Sequence, residues 1–172
     1  LEAVNTMLAY IGEAPVNSLT ASVTLDVSLA DRVLTEQNRL LQLRGWHWNT
    51  DEDYVASPDA SSKYPWLIDW IRFDVDSTKY TDVDIVRRGQ FLWDRKNSTF
   101  VFSETELKGR LVRYLDWDEL PESARSYIMV RASRVFLNRT LGDEVRMRYA
   151  IEDERRAWHA LEEAESEQAD YN

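Results

Sequence analysis

The stretch from Asp26 to Asn49, DVSLADRVLTEQNRLLQLRGWHWN, decides the fold. Val27, Leu29, Ala30, Val33, Leu34, Leu40, Leu41 and Leu43 recur at three- and four-residue steps. One side of a helix of about five turns is therefore apolar and needs a cover. Arg44 sits in the last turn, beside the negative pole of the helix, and Gly45 supplies the left-handed residue on which helices commonly end. Beyond it Trp46 and Trp48 alternate with His47 and Asn49, a change from helical to extended period. The expectation is a long helix that runs straight into a strand.

Upstream, Leu1, Val4, Leu8 and Ile11 have helical spacing that Gly12 and Pro15 stop, so a first short helix is expected. Asn17, Ser18, Thr20, Ser22 and Thr24 form a polar connection, with Thr24 or Asp26 as cap of the long helix. Downstream, Asp51, Glu52 and Asp53 followed by Ser57, Pro58, Asp59, Ser61 and Ser62 read as a loop, with a short strand at Tyr54–Val55. Tyr64–Val75 is dense in aromatic and β-branched residues and reads as a strand, with helix as the alternative. Phe91–Trp93 and Thr99–Phe102 flank Arg95, Lys96, Asn97 and Ser98 as a hairpin, and Leu107–Leu115 adds a strand that ends in the acidic turn Asp116–Glu119. Pro121 and Glu122 then suit the first turn of a third helix with an apolar stripe of Ala124, Ile128, Ala132, Val135 and Phe136, ending near Gly142. A fourth helix follows from Asp143 to Asp170, carrying Ala150, Ile151, Ala157, Trp158, Leu161 and Ala164, with Glu144–Arg148 and Glu152–Arg156 as i,i+4 pairs. The sequence thus predicts an α+β fold in a single domain over residues 1–172. About four helices, from residues 1–45 and 121–170, form a bundle, and a small antiparallel β subdomain, residues 46–120, is inserted between the second and third of them.

The composition narrows the function. With 172 residues, 44% hydrophobic and 30% charged, the chain can bury a core. It has no cysteine, which excludes disulfides and cysteine-based zinc sites and fits a reducing compartment. No apolar run is long enough to cross a bilayer and no signal peptide is visible, so neither a membrane nor secretion is expected. Because the sequence opens on Leu1 rather than Met, native residues ahead of it are expected. A net charge of -10 disfavours a tight grip on phosphate backbones.

Familiar catalytic patterns are missing. The five glycines are isolated, so neither nucleotide-binding glycine motif occurs, and no cofactor is expected. His47 and His159 lack a metal-binding pattern and read as structural. No serine sits in a nucleophile elbow. A carboxylate pair cleaving a polysaccharide or peptidoglycan has no fixed spacing and stays open as the enzymatic alternative. The seven tryptophans include Trp66, Trp70, Trp93 and Trp158, which are candidates for a subunit or partner interface; core filling is the competing reading. Arg125, Arg131, Arg134 and Arg139 of the third helix could meet the acids of a neighbouring subunit or simply face solvent. The acidic fourth helix could also dock another protein, as a regulatory module would.

Several stretches together carry a likeness: Ala3-Val4-Asn5 with Leu8-Ala9, Ile11-Gly12-Glu13 and Pro15-Val16; Asp26-Val27 with Ala30; Arg39, Gln42, Arg44-Gly45-Trp46 and Asn49; Trp93-Asp94-Arg95; Asp116 to Pro121, including Asp118; then Ala132-Ser133-Arg134, Asn138-Arg139 and Gly142. In this order the chain resembles the tail tubular protein A family, the head-to-tail adaptors of short-tailed bacteriophages. Residues 51–84 depart from the family pattern. The resemblance implies a non-enzymatic virion protein, a twelvefold ring between the portal protein and the tail nozzle, tail tubular protein B, with tail fibres nearby. Genome DNA would pass through its lumen without specific binding. It further implies architectural roles for the signature residues: Gly12, Gly45 and Gly142 as chain reversals, and Arg44, Arg134 and Arg139 as ties to helix ends.

Overall fold

The computed structural model describes residues 1–20 and 24–170; Ser22 of the expected polar connection lies outside them. Contacts divide the chain into two compact units, Leu1–Arg44 with Asp116–Asn172, and Gly45–Leu115. Four helices and an antiparallel sheet inserted between the second and third make the fold α+β, as the sequence predicts. The acidic turn at Asp116 goes with the helices rather than with the insertion.

In the helical unit, α1 (Glu2–Ile11) buries Ala3, Val4, Met7 and Leu8. Helix α2 (Leu25–Gln42) is capped by Thr24, whose hydroxyl accepts from the Val27 N–H at 3.4 Å. Its first half follows the apolar stripe, with Val27, Ala30 and Val33 buried. Its second half departs from it: Leu40 and Leu43 are 45% and 46% exposed, whereas Gln37, Asn38 and Gln42 are buried. Gln42 donates to the Asn38 side chain at 2.9 Å, and Gln37 accepts from Arg131 at 2.7 Å, so polar partners carry these side chains inward.

Helix α3 (Glu122–Thr140) is the hub, packing against α1, α2 and α4 (Glu144–Asp170), while α1 also packs on α2. Ala132 and Phe136 of α3 join Val4, Met7, Leu8, Val27, Ala30 and Val33 in one apolar cluster. The organising element of this unit is therefore α3, not α2, the long helix of the 26–49 stretch. On α4, Ala150 and Leu161 are buried as expected, but Ile151 is exposed. The ion pairs run i,i+3 instead of i,i+4: Glu152 meets Arg155 at 2.7 Å and Asp153 meets Arg156 at 2.5 Å.

The insertion starts differently from expectation. Gly45 has φ +75, where a Cβ would meet Val112 and Arg72 side chains at 3.0 and 3.1 Å, so both conformation and space favour glycine. The expected extended run at residues 46–49 is instead a 3₁₀ turn, His47–Asn49, and β1 (Thr50–Ala56) takes in Asp51–Asp53, read as a loop, together with the short strand expected at Tyr54–Val55. Its carboxylates reach across to the neighbouring strand β5 (Leu107–Arg113): Asp51 to Arg113 at 2.7 Å, Glu52 to Arg110 at 3.0 Å, Asp53 to Lys108 at 3.1 Å. Acids on an edge strand are tolerable when the next strand supplies bases. Strand β2 (Trp70–Val75) is only the second half of the expected 64–75 strand, and it pairs antiparallel on the other side of β5 to give the order β1-β5-β2.

The hairpin is also displaced. Strand β3 (Ile85–Arg88) pairs with β4 (Phe91–Asp94) around Gly89 and Gln90, while residues 99–102 contribute only the bridge Asp94–Thr99. The cause is Asp94, whose buried carboxylate accepts from the backbone N–H of Lys96 at 2.9 Å, of Asn97 at 3.3 Å and of Asp84 at 3.3 Å, and from the Asn97 amide at 2.7 Å. It folds residues 94–97 into a turn. Phe102 leaves the sheet to enter the core with Tyr64, Trp70, Phe73, Leu92, Leu107 and Leu111. Burial would raise the Asp94 carboxyl, but these donors outweigh it and hold the group below the usual range. Asp94→Ala is expected to cost roughly 2 kcal/mol at neutral pH, because stranded N–H groups lose their acceptor. A depressed native value means that this contribution is complete above the unfolded aspartate value of about 4 and drains as pH falls through the lower native one. Urea midpoints of the two proteins should therefore differ at neutral pH and converge in acid; a gap that does not depend on pH would count against the assignment.

Candidate assembly surface

The richest surface chemistry in the helical unit lies where α2, α3 and α4 meet. Trp158 of α4 is wedged between two side chains: the Tyr127 ring stands 5.0 Å away at 63°, and the Arg44 guanidinium lies 4.5 Å over the indole. A cleft of about 540 Å³ opens on one side, lined by Leu40, Leu41, Arg44, Tyr127, Arg131, Trp158 and Glu162. On the other side of Tyr127 and Trp158 a second, of about 390 Å³, is lined by Arg134, Ile151, Glu154 and Arg155. The helix that the sequence marks as mostly polar contributes the indole that separates them.

Between the clefts runs an ionic seam. Glu154 of α4, only 15% exposed at its side chain, takes Arg131 at 3.2 Å and Arg134 on its other oxygen. Arg131 also donates to the Tyr127 hydroxyl at 2.8 Å and to Gln37 of α2 at 2.7 Å. Arg139 forms a two-pronged pair with Glu36 at 3.0 and 3.2 Å, and Arg125 pairs with Glu122 within its own turn at 2.7 Å. The arginines expected to meet a neighbouring subunit thus take acids of their own chain. Arg139 keeps the Glu36 carboxyl below its usual range.

The signature residues take structural positions. After Gly12, whose φ is +82, the Glu13 N–H returns to Leu8 O at 3.0 Å. Asn5 then clamps the chain past Pro15, donating to Val16 O at 3.0 Å and accepting from its N–H at 2.9 Å. Asn5 is a tie that the sequence pattern alone does not reveal. Asn49, buried, accepts from the Trp46 N–H at 2.7 Å and donates to Arg113 O at 2.8 Å, which locks the 3₁₀ turn onto β5. Pro121, expected within the first turn of the third helix, is its N-cap, one position before α3 begins, and its carbonyl accepts from Arg125 at 3.0 Å. Asp118 and Asn138 are exposed, and Gly142 has φ +61.

Of the remaining candidate tryptophans, Trp70 is buried in the core of the insertion against Tyr54 and Phe73. Trp66 donates to Trp70 O at 3.0 Å and carries Arg87 over its ring. Trp93 is half-buried beside Phe100 and Arg88. His159 is exposed near Glu162, and no cluster of three or more potential metal ligands exists among the described residues. No helix among them is long and apolar enough to cross a membrane.

Among known families, the model described as tail tubular protein matches residues 1–171. No curated protein matches the chain.

Proposed function

The chain belongs to the tail tubular protein family and is a structural component of a bacteriophage tail, and from that premise we propose that it is the head-to-tail adaptor. Twelve copies, made in the bacterial cytoplasm, form a ring seated between the portal protein and the tail nozzle, near any tail fibres, and the genome leaves through its lumen. The observation that carries this reading is the match over residues 1–171, which spans the helices and the insertion alike. Physical chemistry supports it. A net charge of -10 suits a passage along which DNA slides without being held. The arginines of α3 being paired within the chain, Arg131 and Trp158 act by shaping the clefts that portal or neighbour would fill, Arg125 offers a guanidinium beside Glu122 at the start of α3, and Trp66 and Trp93 offer aromatic contact area on the insertion. Gly12, Glu13, Pro15, Gly45, Trp46, Asn49 and Gly142 serve by fixing helix ends and turns, Arg134 and Arg139 by tying α3 to α4 and α2, with Asp118, Pro121 and Asn138 belonging to the same scaffold.

Mass photometry of the protein alone and mixed with its portal ring tests the reading. A portal-bound mass larger by about twelve subunits is expected even if the free chain is a monomer, because the portal raises the effective concentration of neighbouring copies. A portal mass that stays unchanged, with both proteins folded, would sink it.

A further inference from the structure

The β3–β4 ribbon presents a face for which the described residues supply no acidic partner. Its register pairs Val86 with Trp93 and Arg88 with Phe91, so these four side chains lie together. The Arg88 guanidinium stacks 4.1 Å from the Trp93 ring, and the Lys63 ammonium lies 5.8 Å from that of Phe91. Phe100 supports Trp93 edge-on at 4.6 Å. Among the described residues neither Arg88 nor Lys63 has a carboxylate within ion-pair distance. Stacking occupies the flat side of a guanidinium and leaves its N–H edge free in a fixed position, which lowers the entropy lost when a carboxylate arrives.

The complementary element is the end of α4. No lysine or arginine follows Arg156, and Glu162, Glu163 and Glu167 are exposed there. Glu163 and Glu167 stand at i,i+4, where like charges repel, and they lie towards the negative pole of the helix, where acids are unfavourable. This end of α4 is thus electrostatically strained in the isolated chain. The two acids are about one helical turn, 5–6 Å, apart and so lie on the same side of α4.

We propose that the β3–β4 face of one copy receives the last turns of α4 from a second copy, with Arg88 and Lys63 taking Glu163 and Glu167 while Trp93 covers the helix's aliphatic surface. The contact joins two different surfaces of the same chain, so it is head-to-tail and can close into a ring. It rests on the adaptor reading above.

The test uses the whole chain assembling on its portal, followed by mass photometry, with circular dichroism confirming that every variant is folded. Arg88→Glu alone, and Glu163→Lys with Glu167→Lys, should each lower the number of portal-bound copies at a given concentration by about tenfold, because each places like charges together. Combining Lys63→Glu and Arg88→Glu with Glu163→Lys and Glu167→Lys in one chain reverses both sides of every contact and should restore assembly. Assembly that is unchanged by Arg88→Glu, or a fourfold variant that fails to recover, overturns the proposed contact while leaving the adaptor reading intact. Failure of the wild-type chain to join the portal takes down both. If Arg88→Glu leaves assembly unchanged but abolishes binding of a short DNA duplex, the face belongs to nucleic acid and the contact is likewise overturned.

Discussion

Gly109→Ala is expected to cost the insertion about 3 kcal/mol or more, since overpacking of this kind adds to lost ladder hydrogen bonds. Gly109 lies on β5, the central strand, opposite Tyr54 on one side and Val75 on the other. A Cβ there would stand 2.2 Å from Asp74 O and 2.8 Å from Val75 Cα. Both are backbone atoms, so no side chain can swing away, and β2 would have to separate from β5. Trp66, Trp70 and Trp93 all lie in this unit, which makes tryptophan fluorescence during urea denaturation a direct reporter. An unchanged midpoint would show that the sheet can absorb a methyl group at this position.

Glu154→Ala carries the second large effect, for an electrostatic reason. The carboxylate sits between Arg131 and Arg134 and is largely withdrawn from water. Removing it leaves two neighbouring guanidinium groups repelling each other on α3, with an expected loss of roughly 3 kcal/mol and loosening of α4. Replacing all three residues with apolar ones of similar size, Arg131→Met, Arg134→Leu and Glu154→Leu, should recover part of that loss, because the desolvation cost disappears together with the attraction while buried Gln37 loses its donor. Thermal unfolding of the two variants decides the matter. If the charge-free protein is as unstable as the single substitution, the ion pairs and hydrogen bonds hold the seam and apolar packing cannot replace them.

These two residues also mark how far the sequence could be read. The four helices announce themselves through local periodicity, and Thr24 and Pro121 stand where local chemistry puts helix starts, whereas α2 ends at Gln42, three residues short of Gly45 and with Arg39 rather than Arg44 in its last turn. What stayed hidden depends on distant partners. Gln37 reads as solvent-facing until Arg131, far along the chain, is brought beside it. Asp51, Glu52 and Asp53 read as a loop because their strand propensity is poor, and only the bases of β5 make them a strand. Asp94 redirects the expected hairpin through four hydrogen bonds that no apolar pattern records. Gly109 gives no signal at all, since its importance is the closeness of another strand's backbone. On the surface, the tryptophans were legible as unusual, but composition could not separate buried Trp70 from half-buried Trp93.

The position of α3 as hub has a consequence in time. Helices α1 and α2 leave the ribosome long before the helix that covers them, since residues 43–121 must be made between the end of α2 and the start of α3. At about 5–20 residues per second this delay lasts roughly 4 to 16 s. Throughout it Val4, Met7, Leu8, Val27, Ala30 and Val33 lack the cover of Ala132 and Phe136, while the insertion emerges complete. The insertion is therefore completed before the helical unit, which leaves a nascent helical pair whose sticky side needs shielding until the chain is nearly finished.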